Sequence, residues 1–231
     1  MRVGIFDSGI GGLTVLNKLS SKYKNNDYIF FGDRINIPYG EKSKKELFIL
    51  SSKIIEFLIS NEVDMIVIAC GTVSSNCYKE LLDKYKNINI VDIISPTVNY
   101  INNKKIDNIL VIATSKTVDS HIFKNLLKDK NVYEKACPFL VDMIENNKDI
   151  KLEECINDKK YDYVLLGCTH YPLIKDMIKN KTIDLGDNIF LESNSGAGSI
   201  KLYFSKIDDN LLYNVSKIFK DKKYSISLKV L

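Results

Sequence analysis

The sequence has neither a long apolar run nor a block of basic residues. None of its hydrophobic segments approaches the roughly 20 residues that cross a bilayer, and its first residues, MRVGIFDSGIGG, enter a strand and a Gly-rich turn directly, unlike a signal peptide. Its net charge of +4 comes from lysines spread among almost as many acidic residues, which is not the pattern that tracks a phosphate backbone. We therefore expect a cytoplasmic protein that binds neither membranes nor nucleic acid.

Cysteine pairs at zinc or redox spacing are missing as well. The chain has five cysteines and no CxxC pair, so neither a disulfide framework nor a structural zinc site is predicted. We expect all five to remain thiols in a reducing compartment. Free cysteine is among the most buried residue types, and we interpret Cys77, Cys137 and Cys155 as residues of the core.

Short apolar runs alternate with longer helical patterns along the chain. The runs are VGIFD (3–7), YIFFGD (28–33), MIVIAC (65–70), INIVDII (88–94), NILVIATS (108–115) and YVLLGC (163–168). Continuous rather than alternating hydrophobicity is typical of strands that are covered on both faces. Segments such as 43–61 and 74–85 have apolar residues at helical spacing. The predicted class is therefore α/β, in a chain long enough for one large domain or two small ones.

A weak internal repeat divides the sequence into two related parts. VDMIVIACGT, from residue 63, aligns with YDYVLLGCTH, from residue 161, and superposes Cys70 on Cys168. VGIFDS (3–8) aligns in the same way with LVIATS (110–115). This predicts two similar three-layer α/β/α halves with mainly parallel sheets, related by pseudo-symmetry. Ligands of open α/β sheets bind beyond the carboxyl ends of the strands, so both cysteines would open onto one cleft if the halves face each other.

The two matched cysteines predict proton-transfer chemistry. Each leads from a strand end into a helix N-terminus, where the helix dipole favours the thiolate and can lower the pKa. A single such cysteine would suggest a covalent nucleophile. Two symmetry-related thiols instead suggest that one removes a proton from a carbon while the other protonates its opposite face, which inverts a stereocentre. His170, two residues after Cys168, could tune that thiol or assist the transfer.

The Gly-rich turn DSGIGG (7–12) favours an anion or a small polar ligand. It lacks the Lys-Ser/Thr of a P-loop and the spacing of a dinucleotide fingerprint. Its backbone amides and Ser8 could hold a phosphate or a carboxylate, and Asp7 could pair with an ammonium group or orient a neighbour. No lysine stands out as a Schiff-base former, so we predict no pyridoxal phosphate and no other cofactor or metal.

With these motifs the sequence resembles the bacterial glutamate racemases, in the cofactor-independent aspartate/glutamate racemase superfamily. The resemblance spans nearly the whole chain and is carried by five ordered segments: GIFDSGIGGLTVL (4–16), GDRINIPYG (32–40), ACGT (69–72), ACPFLVDMIE (136–145) and LGCTHYPLI (166–174). It implies that Cys70 and Cys168 are the paired acid and base, the first serving the D-enantiomer and the second the L-enantiomer, with catalytic parts for Asp7 and His170. It implies substrate contacts at Asp7, Ser8, Pro38, Tyr39, Gly40, Gly71, Thr72, Thr117, Thr169 and His170.

The resemblance also implies an architecture and a biological role. The second half, 95–191, would be inserted into a first half made of 1–94 and 192–231, with the active site between them. The substrate would be L- or D-glutamate, and D-glutamate would feed peptidoglycan for the cell wall and cell shape. A homodimer is a further expectation of the resemblance.

The sequence departs from the family pattern at a few positions. Gly71 stands where the family usually has Asn, Ser95 where an acidic residue is common, and Glu192 where Asp is usual, and the segment 146–160 is short. Two other functions stay open: racemisation of another acidic amino acid such as aspartate, and amino-acid binding without catalysis. A thiol redox protein is a third interpretation, which predicts a Cys70–Cys168 disulfide.

Two acidic residues near the motifs are harder to interpret. Asp33 is expected to cap or orient its own turn. Glu145 could reach the site, or could lie on the surface at the end of its helix.

Overall fold

The structure, a computed structural model, describes residues 1–157, 161–193 and 195–231. Residues 158–160, in the short segment 146–160, and Asn194, in the segment 188–198 where the chain would return to the first half, lie outside the described residues. The strands form two sheets in which every pair of neighbouring strands is parallel. The predicted α/β class with two parallel-sheet halves is confirmed.

Among the described residues, the first sheet has six strands in the order β10-β9-β2-β1-β3-β4. They are β1 (Arg2–Asp7), β2 (Asp27–Gly32), β3 (Met65–Ile68), β4 (Asn89–Asp92), β9 (Ser199–Phe204) and β10 (Ser225–Leu228). At its centre Ile5 of β1 pairs with Phe30 of β2 and with Val67 of β3. All three side chains are buried, as expected for strands with helices on both faces.

In the part of the chain that the structure describes, the second sheet has four strands in the order β6-β5-β7-β8. They are β5 (Asn108–Ala113), β6 (Asn131–Ala136), β7 (Tyr163–Leu166) and β8 (Thr182–Asp184). The chain therefore leaves the first sheet after β4 and returns to it at β9. The segment that forms the second sheet is thus inserted between two strands of the first sheet.

Helices cover the faces of both sheets. They are α1 (Gly12–Lys22), α2 (Lys44–Ser60), α3 (Gly71–Lys84), α4 (Ile94–Asn102), α5 (Ser115–Asp119), α6 (Ile122–Leu126), α7 (Phe139–Glu145) and α8 (Asp209–Ile218), with short 3₁₀ turns at Arg34–Asn36, Tyr39–Glu41, Leu152–Glu154 and Tyr171–Met177. Helix α2 begins with a capping box in which Ser43 and Glu46 bond each other's backbone N–H. None of the helices among the described residues has the length and apolar composition of a membrane span.

The apolar core joins the two sheets. One buried cluster includes Val67 of β3 as well as Val111 of β5 and Leu165 of β7. The opposite face of each sheet packs against its own cluster, around Phe6 in the first sheet and around Ile112 in the second. Because side chains alternate along a strand, one face of each sheet contributes to the shared core and fixes the halves against each other.

The expectation that all five cysteines are thiols is wrong for one pair. Cys137 and Cys155 form a disulfide with their Cα atoms 5.9 Å apart, within the usual range. They are 18 residues apart in sequence and meet because the start of α7 and the turn after Leu152 pack on the same face of the second sheet. Both are buried, as expected, and Cys70, Cys77 and Cys168 are free.

Candidate active site

A cavity of about 140 Å³ opens where strands of both sheets end. Cys70 follows β3 of the first sheet and precedes α3, and Cys168 follows β7 of the second sheet. The described residues that line the cavity are Asp7, Ser8, Ile37, Pro38, Tyr39, Gly40, Glu41, Cys70, Gly71, Thr72, Thr114, Ser115, Pro138, Val141, Gly167, Cys168, Thr169 and His170. The two cysteines therefore reach one cavity from two different sheets.

Every residue that the sequence singled out for the site lines this cavity except Thr117. Thr117 is buried behind the wall, with its Oγ1 3.1 Å from Thr114 Oγ1. Thr114 and Ser115 line the cavity in its place, and sequence reasoning missed them. The internal repeat carried the signal, because it aligns Thr114 and Ser115 with Asp7 and Ser8.

Burial controls the charge of Cys70. Its side chain is removed from water, and this burial, together with the negative charge of Asp7, raises the pKa of Cys70 well above its ordinary value. The sequence-based expectation of a lowered pKa at the helix N-terminus is therefore wrong for this thiol. The backbone N–H of Val73 acts in the expected direction, but desolvation is the larger effect. Cys70 is accordingly a thiol that can donate a proton.

Asp7 lies beside Cys70 at the end of β1. Its Oδ2 accepts hydrogen bonds from the backbone N–H of Gly12 at 2.7 Å and from Thr169 Oγ1 at 3.3 Å. The Cys70 thiol interacts with this carboxylate, but Asp7 Oδ1 accepts no N–H or O–H group among the described residues. Burial raises the pKa of Asp7, although His170 and the Gly12 N–H oppose the shift. A buried acceptor without a partner is costly, so Asp7 Oδ1 is ready for a donor such as a ligand ammonium group.

Cys168 has a different partner. His170 Nδ1 lies 3.7 Å from Cys168 Sγ, and His170 Nε2 lies 2.8 Å from Glu145 Oε1. Burial disfavours the imidazolium, but the bonds to Cys168 and Glu145 outweigh it and raise the pKa of His170 well above its usual value. A charged His170 stabilises negative charge on the Cys168 sulfur.

Glu145 belongs to the site rather than to the surface. It ends α7 with 6% of its surface exposed, and its Oε1 also accepts the backbone N–H of Ile10 at 2.9 Å. Burial would raise the pKa of Glu145, yet the bond and charge of His170 and the Ile10 N–H lower it. Arg34, which sequence reasoning missed, has its Nε 3.7 Å from Glu145 Oε2 and its Nη1 2.9 Å from Asp208 Oδ1. Glu145 is therefore held as a carboxylate.

The loop after β2 forms another wall. Tyr39 is buried and donates its hydroxyl to Asp33 Oδ2 at 2.7 Å, and Asn36 Nδ2 bonds the same carboxylate. Asp33 thus orients its own turn, as predicted, and fixes the Tyr39 ring. Pro38 and Gly40, on either side of Tyr39, also line the cavity.

The rest of the lining is rich in hydroxyl groups and helix N-termini. Thr72 Oγ1 lies 3.0 Å from Thr114 Oγ1, so a hydroxyl contact links the starts of α3 and α5. Neither lysine nor arginine occurs among the described residues that line the cavity. Apart from His170, the donors available to a carboxylate bound here are neutral, namely hydroxyls and the free N–H groups at the start of α3.

Comparison with known proteins identifies the family. No protein-family model matches the chain. The glutamate racemase of Hydrogenobaculum sp. is 34% identical, with 96% of this chain and 94% of that protein covered. The glutamate racemase of Fusobacterium nucleatum is 40% identical over 80% of this chain and 76% of that protein.

Solved structures agree. The Francisella tularensis glutamate racemase, crystallised with D-glutamate, is 27% identical with a TM-score of 0.82, covering 99% of this chain and 97% of that one. The Aquifex pyrophilus glutamate racemase is 30% identical with a TM-score of 0.82, over 99% and 98% of the two chains. This chain therefore belongs to the glutamate racemase family of cofactor-independent amino-acid racemases.

Proposed function

We propose that this protein interconverts L- and D-glutamate by proton transfer between the substrate Cα and two thiols, Cys70 and Cys168. The observation that carries the proposal is that both sulfur-bearing side chains, from different sheets, line one small cavity. The names of the relatives and the D-glutamate in the Francisella tularensis crystal favour glutamate as the substrate.

The two thiols have different surroundings. The raised pKa of Cys70 keeps it protonated. Cys168 Sγ faces His170 Nδ1 at 3.7 Å, and we propose that Cys168 begins the reaction from L-glutamate as the thiolate. In this state Cys168 accepts the α-proton as the Cα–H bond breaks, and the carbanion takes the proton from Cys70 on its opposite face. Cys168 then carries a thiol and Cys70 a thiolate, which is the state required for the reverse reaction. The resemblance assigns L-glutamate to Cys168 and D-glutamate to Cys70.

Different groups of the cavity would bind the ammonium group and the carboxylates of the substrate. The unpartnered Asp7 Oδ1 would accept the substrate ammonium group, while the N–H groups at the start of α3 and the hydroxyls of Ser8, Thr72 and Thr169 would hold carboxylates. Fixed donors around the developing negative charge lower the barrier, by roughly 3–4 kcal/mol for a single such group in other enzymes. We also propose that the D-glutamate product supplies peptidoglycan synthesis in the cytoplasm, with a homodimer as the working assembly.

Exchange in D₂O tests this function. The purified protein is incubated with each enantiomer of glutamate and of aspartate, and the loss of the Cα–H signal and the optical rotation are followed. We expect deuterium at Cα of glutamate, first in the product enantiomer. Cys70→Ser and Cys168→Ser should each slow racemisation by at least about 10²-fold.

Cys77→Ser is the matched control, because Cys77 is a buried free thiol inside α3 that does not line the cavity. It should keep its activity. Deuterium exchange at Cα of aspartate but not of glutamate would make aspartate the substrate in place of glutamate. No exchange with any of the four amino acids would support a binding protein without catalysis and would contradict the proposal.

A further inference from the structure

Two glycines bring the halves into very close contact beside the cavity. Gly71 starts α3 in the first half, and Gly167 follows β7 in the second. A Cβ atom added to Gly71 would lie 2.6 Å from the carbonyl oxygen of Gly167, a separation that side-chain carbons essentially never show. The obstacle is a backbone atom rather than the end of a flexible side chain, so no side chain fits at position 71 in this arrangement.

Gly167 cannot retreat to make room. Its N–H donates to the backbone oxygen of Ile112 at 2.8 Å and ties it to β5. A Cβ on Gly167 would itself lie 3.0 Å from both Ala113 Cβ and Ile112 O, so the backbone already packs tightly against the second sheet. Any side chain at position 71 would therefore push the start of α3 away from the second half.

The residues on either side of this contact are the groups of the cavity. Gly71 lies between Cys70 and Thr72, and Gly167 precedes Cys168. Next to the contact, Thr72 Oγ1 bonds Thr114 Oγ1 across the boundary at 3.0 Å. A displacement at Gly71 would thus change the separation of the two thiols and stretch the Thr72–Thr114 contact.

We propose that Gly71 is a positioning and specificity-determining residue, which sets how closely the two halves close around the substrate and so limits the size of the amino acid that the cavity admits. This rests on the proposed racemase function. It also explains the departure from Asn that the resemblance brought out. Position 71 here provides close backbone contact instead of a side-chain amide.

Gly71→Ala and Gly71→Asn test the inference, with Gly186→Ala as the matched control. Gly186 lies just after β8, and its added Cβ would meet the side chain of Val15 in α1 at 3.1 Å, a contact across the same boundary in which a side chain can give. Racemisation is measured with glutamate and with 2-aminoadipate, which is one methylene longer. The alkylation of Cys70 and Cys168 by iodoacetamide is measured site by site by mass spectrometry.

We expect Gly71→Ala to lower kcat for glutamate by about tenfold or more, since sub-ångström misplacement of reacting groups is costly. The kcat/KM ratio should shift toward 2-aminoadipate, and alkylation of both cysteines should rise several-fold. Gly71→Asn should show larger changes in the same direction. Introducing the family's usual Asn should therefore lower the activity with glutamate. Gly186→Ala should behave as the wild type.

Several outcomes would overturn the inference. One is unchanged alkylation and selectivity in Gly71→Ala, and another is activity in Gly71→Asn equal to that of the wild type. A third is failure of both variants to fold, because the inference predicts that the two halves move apart but remain folded. Alkylation is independent of turnover. If the wild type does not racemise glutamate, the proposed function fails, and the alkylation rates alone still decide whether Gly71 controls closure.

Discussion

Glu145 Oε1 lies 2.8 Å from His170 Nε2, and the other ring nitrogen of His170 faces Cys168 Sγ. The three side chains are all buried. Burial strengthens each interaction, because the surroundings have a low dielectric constant, and it also makes any unpaired charge costly. The Glu145 carboxylate and the His170 imidazolium therefore depend on each other, and the Cys168 sulfur lies against the same ring.

Glu145→Gln tests this dependence. Glutamine keeps a hydrogen bond to His170 but removes the charge, so the pKa of His170 should fall and the imidazolium should be lost at a lower pH. We expect the rate from L-glutamate to drop by about 10²-fold and the alkaline limb of its pH profile to move to lower pH. Initial rates from each enantiomer across pH measure both effects.

Glu134→Gln is the control for that experiment. Glu134 bonds His121, whose side chain is exposed, at 3.0 Å, and neither residue lines the cavity. Its pH profile should match the wild type. An unchanged profile in Glu145→Gln would show that Glu145 has only a structural role.

The same pair makes stability depend on pH. The pKa of His170 is raised above 6.5, so its contribution is complete below about pH 6.5 and is lost as the pH rises through the folded-state pKa. The pKa of Glu145 is lowered below 4.5, so its contribution is present above about pH 4.5 and is lost as the pH falls through the folded-state pKa. In urea unfolding, this pair should therefore contribute most to the free energy of unfolding between about pH 4.5 and about pH 6.5. His170→Gln should flatten the alkaline decline, and a decline of equal size in that variant would contradict the assignment.

Lys18 of α1 connects the two halves electrostatically. Its Nζ lies 2.6 Å from Asp184 Oδ2 at the end of β8 and also bonds Asp187. Lys18→Ala would leave the buried Asp184 carboxylate without its cation, and we expect a loss of about 2–3 kcal/mol in urea unfolding. Lys44→Ala removes a lysine that pairs with Glu80 on the surface and should cost below about 0.5 kcal/mol. Equal losses in the two variants would rule out a special role for Lys18.

The Cys137–Cys155 pair can be tested by counting thiols. The denatured, unreduced chain should react as three thiols, at Cys70, Cys77 and Cys168, and as five after reduction. The double variant Cys137→Ser/Cys155→Ser should give three in both cases. Reduction should destabilise the wild type by about 3 kcal/mol, as expected for a loop of this length, and five thiols before reduction would refute the disulfide.

The sequence predicted strands best where they are buried on both faces. The runs that became β1, β3, β5 and β7 are continuously apolar because helices cover both sides of them. Strands β6, β8, β9 and β10 were not predicted. Most residues of β6, β9 and β10 are partly or fully exposed, so no continuous apolar run marks these strands. Strand β8 has only three residues.

The site was predictable where function lies at strand ends and not where it depends on packing between distant segments. Cys70 and Cys168 follow apolar runs and stand in matched motifs. Glu145 meets His170 and Arg34 only after α7 and the loop after β2 have packed together. The raised pKa of Cys70 was missed for a related reason. Helix dipoles can be inferred from sequence, but the depth of burial that outweighs them cannot.

The lack of lysine and arginine in the described lining of the cavity has a kinetic consequence. Electrostatic steering of an anion requires a positive field that extends into solvent, and salt weakens such a field beyond about 8 Å at physiological ionic strength. Hydroxyls and backbone dipoles act only over short distances. The cavity lining should therefore contribute little to long-range steering, and any salt dependence in the capture of an anionic amino acid should come from charges elsewhere on the protein.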